Sequence, residues 1–315
     1  EYGAFIFENA APTHTKKLDT IQNHALRTIT GAYRTTPTAA LHIYNNTPPL
    51  HYRRTEALFK YLHRIQHVPN HPATNIITRT SRRRHNKSRQ KTTLGARAAE
   101  LSREYGIVLP RAEPRPQLPE HWINTAPKTH YLTTQPKHTH TDTEIQQLFH
   151  QYINTHNATN IFYTDGSKHD THTAAAAIVH RTQEQLITFK CRLPDNTSIY
   201  TAELYAIYSA FLTIKQHNLT HNIIATDSKS AVTALSHIPA TPTHPIIHLI
   251  LHIHTYLDPD SKPTLLWIPG HSGITGNEQV DRVANRAINQ ATTITIPLAS
   301  FDFHTTIRRQ LDKHY

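Results

Sequence analysis

The chain has a single cysteine, Cys191, and no methionine among its 315 residues. One cysteine excludes an intramolecular disulfide framework and any paired-cysteine metal knuckle, which is the pattern expected of an intracellular protein. Without methionine, and opening on Glu1-Tyr2-Gly3, the sequence leads us to expect the tail of a longer polypeptide. It holds no signal peptide and no apolar run of the roughly 18 residues that a membrane span needs. Acids are scarce too, at 22 Asp and Glu, and charged residues make up only 17%. Thr, His, Asn, Gln and Pro fill the space. Their codons are A- or C-rich, so the 27 histidines read first as nucleotide bias and only then as chemistry.

What charge there is lies unevenly. Residues 1–150 carry 21 Lys and Arg against 10 acids, while residues 151–315 carry 12 of each. All of the net charge of +11 therefore belongs to the first half, and two electrostatic characters suggest two jobs. The apolar share of 37% is enough for a core.

Leu18, Ile21, Ala25 and Ile29 fall at helical spacing ahead of Gly31, and Ala57, Leu58, Tyr61, Leu62 and Ile65 share a second helical face. This predicts a small helical region over 1–75. Residues 76–140 read as a basic, Pro-rich linker. Its stretch 79–97 has eight Lys or Arg and no acid, and five prolines fall between 114 and 136. The basic stretch fits a solvated linker and a phosphate-binding footprint equally well.

Order resumes at a capping box, Thr141 with Glu144, before the apolar face Ile145, Leu148, Phe149 and Tyr152. Strands are predicted over 160–164, 173–180, 185–193, 222–226 and 263–268. Helices are predicted over 199–217, 228–237, 244–257 and 277–290. Three strands followed by alternating helices and strands describe a mixed α/β sheet with helices packed on it. This domain is expected over 141–292, with a tail over 293–315.

Four of the scarce acids occupy informative positions. Asp165 is expected to end the first strand, just before Gly166 and Ser167. Glu203 lies in the first turns of a long helix, in phase with Ala206, Ile207 and Ala210, so it faces the sheet. Asp227 ends the next strand. Asp281 sits beside the stripe Val280, Ala284, Ala287 and Ile288. Singly, each acid is more simply a turn former or a helix cap. Together at a sheet's carboxyl edge they would repel one another, and hard oxygen-seeking cations relieve that cost. An all-oxygen donor set favours Mg²⁺ or Mn²⁺, and two such ions suit phosphodiester chemistry. Gly270, Gly273 and Gly276 define a loop carrying His271, suited to shuttling protons or easing product release.

The segments YTDGS, AELYAI, ATDSKSAV and WIPGHSGITGNEQVDRVA resemble, in order and spacing, the type 1 ribonuclease H family over about residues 158–290. The resemblance implies a five-stranded mixed sheet whose first three strands are antiparallel, and hydrolysis of the RNA strand of RNA–DNA hybrids. It implies Asp165, Glu203, Asp227 and Asp281 as the metal-binding catalytic acids and His271 as an auxiliary catalytic histidine. The variant GHSGITGNEQVDRVA looks most like the ribonuclease H of non-LTR retrotransposon polyproteins. KLDTIQNHALRTITGAYRTTP with PPLHYRRTEAL resembles the segment that follows the reverse transcriptase palm in those elements. There is no YADD-like polymerase motif.

Two departures from the family pattern stand out. THTAAAAIVH replaces the glycines of many members' second strand, and its alanines still permit close packing. LSHIPATPTHPIIHL is uncharged where some cellular members carry a basic protrusion. Hybrid affinity is therefore expected from Arg82, Arg83, Arg84, Lys87, Arg89 and Lys91, which could also hold single-stranded or structured RNA. Backbone groups of Gly166 and Ser167 are expected to read the 2′-hydroxyl. The rival class is a binding remnant of a retroelement that holds nucleic acid without cutting. Another nuclease of the same fold fits less well, since it would not call for the glycine-rich His loop. His248 and His252, at i and i+4, lack a completing ligand. Trp267 and Cys191 read as core.

Overall fold

The computed structural model describes residues 3–66, 68, 71–74, 93–110, 125–135, 139–181, 187–237, 244–289, 293–297 and 299–314. It divides into two compact units, Glu1–Pro114 with Ser300–Tyr315, and Arg115–Ala299.

The first unit is helical: α1 Pro12–Thr30, α2 Thr38–Tyr44, α3 Leu50–Gln66, α4 Leu94–Tyr105 and α10 Ser300–Asp312. Gly31 stops α1 in the left-handed conformation at φ 64°. The predicted α1 face is not a core face. Ile21 and Ile29 are exposed, and Leu26 is the residue α1 buries. Helix α3 keeps its expected apolar residues Leu58, Leu62 and Ile65 inside. The stretch read as a C-terminal tail contains α10, which buries Phe303, Ile307 and Leu311. It packs on α3 through a His63–Phe303 ring stack and an Arg308 Nε donation to Glu56 Oε1 at 2.7 Å.

The second unit is built on β1 Lys128–Tyr131, β2 Asn160–His169, β3 His172–Arg181, β4 Ile187–Leu193, β5 Asn222–Thr226 and β6 Thr264–Trp267. Their spatial order is β1-β6-β5-β2-β3-β4. β3 is antiparallel to both β2 and β4, whereas β2, β5, β6 and β1 run parallel. The expected mixed sheet with three antiparallel strands is present. The expected count of five strands is corrected to six, because β1 forms inside the Pro-rich stretch and pairs with β6.

Helices α5 Asp142–Thr155, α6 Ile199–His217, α7 Lys229–Leu235, α8 Pro245–Tyr256 and α9 Thr275–Ala287 cover the sheet. The capping box at Thr141 and Glu144 starts α5 as predicted. Alternate strand residues face opposite layers. Phe162, Val179, Ile224 and Leu265 meet Leu204, Ile207, Phe211 and Ile250 on one side. Tyr163, Ile178, Ala225 and Leu266 meet Ile145, Phe149, Val280 and Ala284 on the other. Because both faces are covered, the strands are apolar runs rather than alternating ones. The alanines 174–177 of β3 are all buried, small enough to admit helices on both sides. Among the described residues no helix is long and apolar enough to cross a membrane.

Candidate active site

β2 and β5 pair in parallel from Asn160↔Asn222 to Thr164↔Thr226. The next residue on each strand is an aspartate, Asp165 and Asp227. Asp165 does not end its strand, as the apolar run suggested. β2 continues to His169 because β3 still pairs with it there. What ends at Thr164 is the parallel ladder, and both carboxylates emerge where it stops.

Glu203 comes from the second turn of α6, whose start is fixed by Ser198 accepting from the Thr201 amide. The helix lies so close to β2 that a Cβ on Gly166 would be 2.7 Å from the Glu203 nitrogen. Only glycine permits that approach. The Gly166 backbone also lowers the pKa of both carboxylates, Asp165 and Glu203, partly offsetting their burial.

One oxygen from each of Asp165, Glu203 and Asp227 lies within 4.8 Å of the other two. Asp165 and Glu203 are buried and Asp227 is half-buried. Burial, with the negative charges of Asp227 and Asp281, pushes the Asp165 carboxyl up to about 8. Burial and then the charges of Asp165 and Asp227 hold Glu203 well above the ordinary range. Burial also raises Asp227, opposed by an Asn277 hydrogen bond and by His271. The Glu203 Oε2 atom is buried without a hydrogen-bond partner. Such an atom costs on the order of 1–3 kcal/mol, more when charged. Crowded carboxylates, oxygen donors alone and an orphaned oxygen together fit a hard divalent cation such as Mg²⁺ or Mn²⁺.

Asp281, on α9, stands beside this trio rather than within it. It interacts with Asp165 by charge and by a side-chain hydrogen bond. Its Oδ1 accepts from Asn285 Nδ2 at 2.8 Å, and Asn285 Oδ1 accepts from the Ser167 hydroxyl. Ser167 is buried, so its hydroxyl proton is spent inside the protein. His271 is exposed, at φ 51°, on the loop between β6 and α9. The loop presses on the site, since a Cβ on Gly270 would be 2.9 Å from Asp227 Oδ2.

Asn277, Asn285 and Trp267 were not singled out as site residues from sequence. Asn277 Nδ2 donates to Asp227 Oδ2 at 3.5 Å. Asn285 follows Asp281 by one helical turn, a spacing that could have revealed it. Trp267 is half-buried rather than core, and its indole N–H donates to the Asp227 carbonyl at 3.0 Å. Arg82, Arg83, Arg84, Lys87, Arg89 and Lys91 lie outside the described residues. His248 and His252 acquire no third ligand among the described residues. Cys191 is buried, which pushes its thiol up to about 12.

Among solved structures, the chain resembles the crystal structure of LC11-RNase H1 in complex with an RNA/DNA hybrid. The identity is 19%, over 42% of this chain and 98% of that one, with a TM-score of 0.35. The stretch that holds Asp165, Glu203, Asp227, Asp281 and His271, residues 156–289, matches the RNase H family model.

Proposed function

We propose that the chain is a divalent-metal-dependent endonuclease that hydrolyses the RNA strand of RNA–DNA hybrids. The observation that carries this reading is the convergence of Asp165, Glu203 and Asp227, with Glu203 Oε2 buried and unpartnered. The match of residues 156–289 to the RNase H family model supports the same substrate class. Asp165, Glu203 and Asp227, with Asp281 alongside, would hold two Mg²⁺ or Mn²⁺ ions. Such ions, when bound, neutralise the acids and stabilise charge developing on the phosphodiester oxygens.

The protein's own residues supply the rest. Gly166 lets α6 bring Glu203 to the strand edge. Asn277 orients Asp227, and Asn285 orients Asp281. His271, exposed beside Asp227, takes up or delivers the proton exchanged as a water attacks phosphorus and the 3′ oxygen leaves. The Ser167 Oγ donates to Asn285 and keeps its lone pairs. With the nearby Gly166 backbone it would read the RNA 2′-hydroxyl.

The basic stretch holding Arg82 to Lys91 would supply sequence-independent phosphate affinity for the hybrid, and for single-stranded or structured RNA. The resemblance of GHSGITGNEQVDRVA and of the first 68 residues to non-LTR retrotransposon polyproteins supports an origin in such an element. The test is cleavage of a labelled RNA–DNA hybrid with Mg²⁺ and then EDTA, beside single-stranded RNA and duplex DNA. Cutting of the hybrid's RNA alone, lost in EDTA, is the expected result. Binding without cutting would favour the inactive nucleic-acid-binding remnant instead.

A further inference from the structure

Helix α5 ends at Thr155, just before the 156–289 stretch that matches the RNase H family model, yet it touches that stretch at a sensitive place. Gln146 Nε2 donates to the carbonyl of Gly273 at 3.1 Å and to that of Ser272 at 3.4 Å. An amide nitrogen has two hydrogens, so both donations can be made at once. The carbonyls belong to the two residues that follow His271.

His271 adopts φ 51°, a left-handed conformation that a residue with a Cβ holds only under constraint. Gly273 follows at φ 72°, and a Cβ there would run into the Gln146 amide. Within the loop, the Ser272 hydroxyl donates to the Pro269 carbonyl at 2.7 Å. Gln146 ties the loop to α5, and its own place on the helix is fixed. Its neighbour Ile145 is fully buried, Phe149 is buried one turn on, and both pack with Ile268 and Ile274 from the two ends of the same loop.

We propose that Gln146 is a positioning residue that sets the His271 loop, making α5 a working part of the nuclease rather than a linker to it. The proposal rests on the role given to His271 above. Gln146→Glu keeps the side chain's shape but removes both N–H donors and sets carboxylate oxygen against two carbonyls.

The experiment compares full-length wild type, Gln146→Glu, His271→Ala and the double variant on an RNA–DNA hybrid. Gln146→Glu should lower kcat roughly ten- to hundredfold with KM within about twofold. The double variant should be no slower than His271→Ala alone, because both changes remove one function. Gly273→Ala, approaching from the other side, should give the same kcat loss. Unchanged kcat in Gln146→Glu, or losses that multiply with His271→Ala, would overturn the proposal.

Amide hydrogen exchange over 270–273 needs no turnover and separates the two readings. If wild type cuts no hybrid, the nuclease reading fails and the positioning role falls with it. Faster exchange in folded Gln146→Glu would still establish the tie itself. Exchange equal to wild type would overturn it directly.

Discussion

Asp165 and Asp227 each follow directly on the last register pair of the β2–β5 ladder, Thr164↔Thr226. Two backbones held side by side by hydrogen bonds thus deliver two carboxylates to the same height at the sheet's carboxyl edge. The α6 helix adds Glu203 from one side, and α9 brings Asp281 close to Asp165. The placement of Asp165, Glu203 and Asp227 is set by the register of the sheet and one glycine contact.

Replacing Asp165 or Asp227 with asparagine keeps each side chain's volume and removes a ligand charge. Hybrid cleavage in Mg²⁺ should fall on the order of a thousandfold or more, with the far-ultraviolet circular dichroism unchanged. Retained cleavage in either purified variant would count heavily against the site.

The same crowding predicts how the metal-free protein responds to pH. Asp165 is raised from 3.8 to about 8, and Glu203 and Asp227 are raised with it. An unfolded chain releases these protons near pH 4, whereas the folded one holds Asp165 protonated until about pH 8. The folded state binds more protons across that window, so stability is greatest below it and is lost as pH rises through it. In EDTA the Tm should fall between pH 5 and pH 8, and Asp165→Asn should recover several degrees at pH 8 and little at pH 5. Mg²⁺ should give wild type a similar gain at pH 8.

Glu203→Gln tests the orphaned oxygen. It leaves the helix and the packing intact but turns an anionic donor into a neutral amide beside two aspartates. Calorimetric affinity for Mn²⁺ should fall at least about ten- to hundredfold, the loss that removing only a supporting hydrogen-bond partner of a metal ligand already causes. Unaltered affinity would place the ion elsewhere.

Gly166→Ala tests how α6 meets β2. The new methyl would sit 2.7 Å from the Glu203 nitrogen and 2.8 Å from the Ala202 Cβ, so the helix must shift. Overpacking of this kind costs about 1–3 kcal/mol, and it should move Glu203 off the trio as well. Thermal melts and cleavage rates should fall together.

Elements with a strong local signal were readable from sequence. Helix α6 runs over 199–217 and β5 over 222–226, as expected, and the structure bounds the helix with Ser198 and Asn218. The four acids stood out by position, at strand ends and on helix faces, and the structure brings the carboxylates of Asp165, Glu203 and Asp227 together. Strand β1 was not: Lys-Thr-His-Tyr has neither alternation nor length, and it is a strand only because β6 offers an open edge beside it. Asp165 was expected to end its strand because the extension of β2 depends on its hairpin with β3, a pairing that no single strand reveals. Helix α10 did carry a pattern, Phe303, Ile307 and Leu311 at helical spacing, inside what read as a tail. The amide contacts of Asn277, Asn285 and Gln146 depend on how elements distant in sequence dock, and composition carries no trace of that.

The most direct measurement is cleavage of an end-labelled RNA–DNA hybrid by the purified full-length chain, with Mg²⁺ and with EDTA. The site described here predicts cuts within the RNA strand only, abolished by EDTA and by Asp165→Asn. Binding of the hybrid with no cut in either metal condition would contradict it.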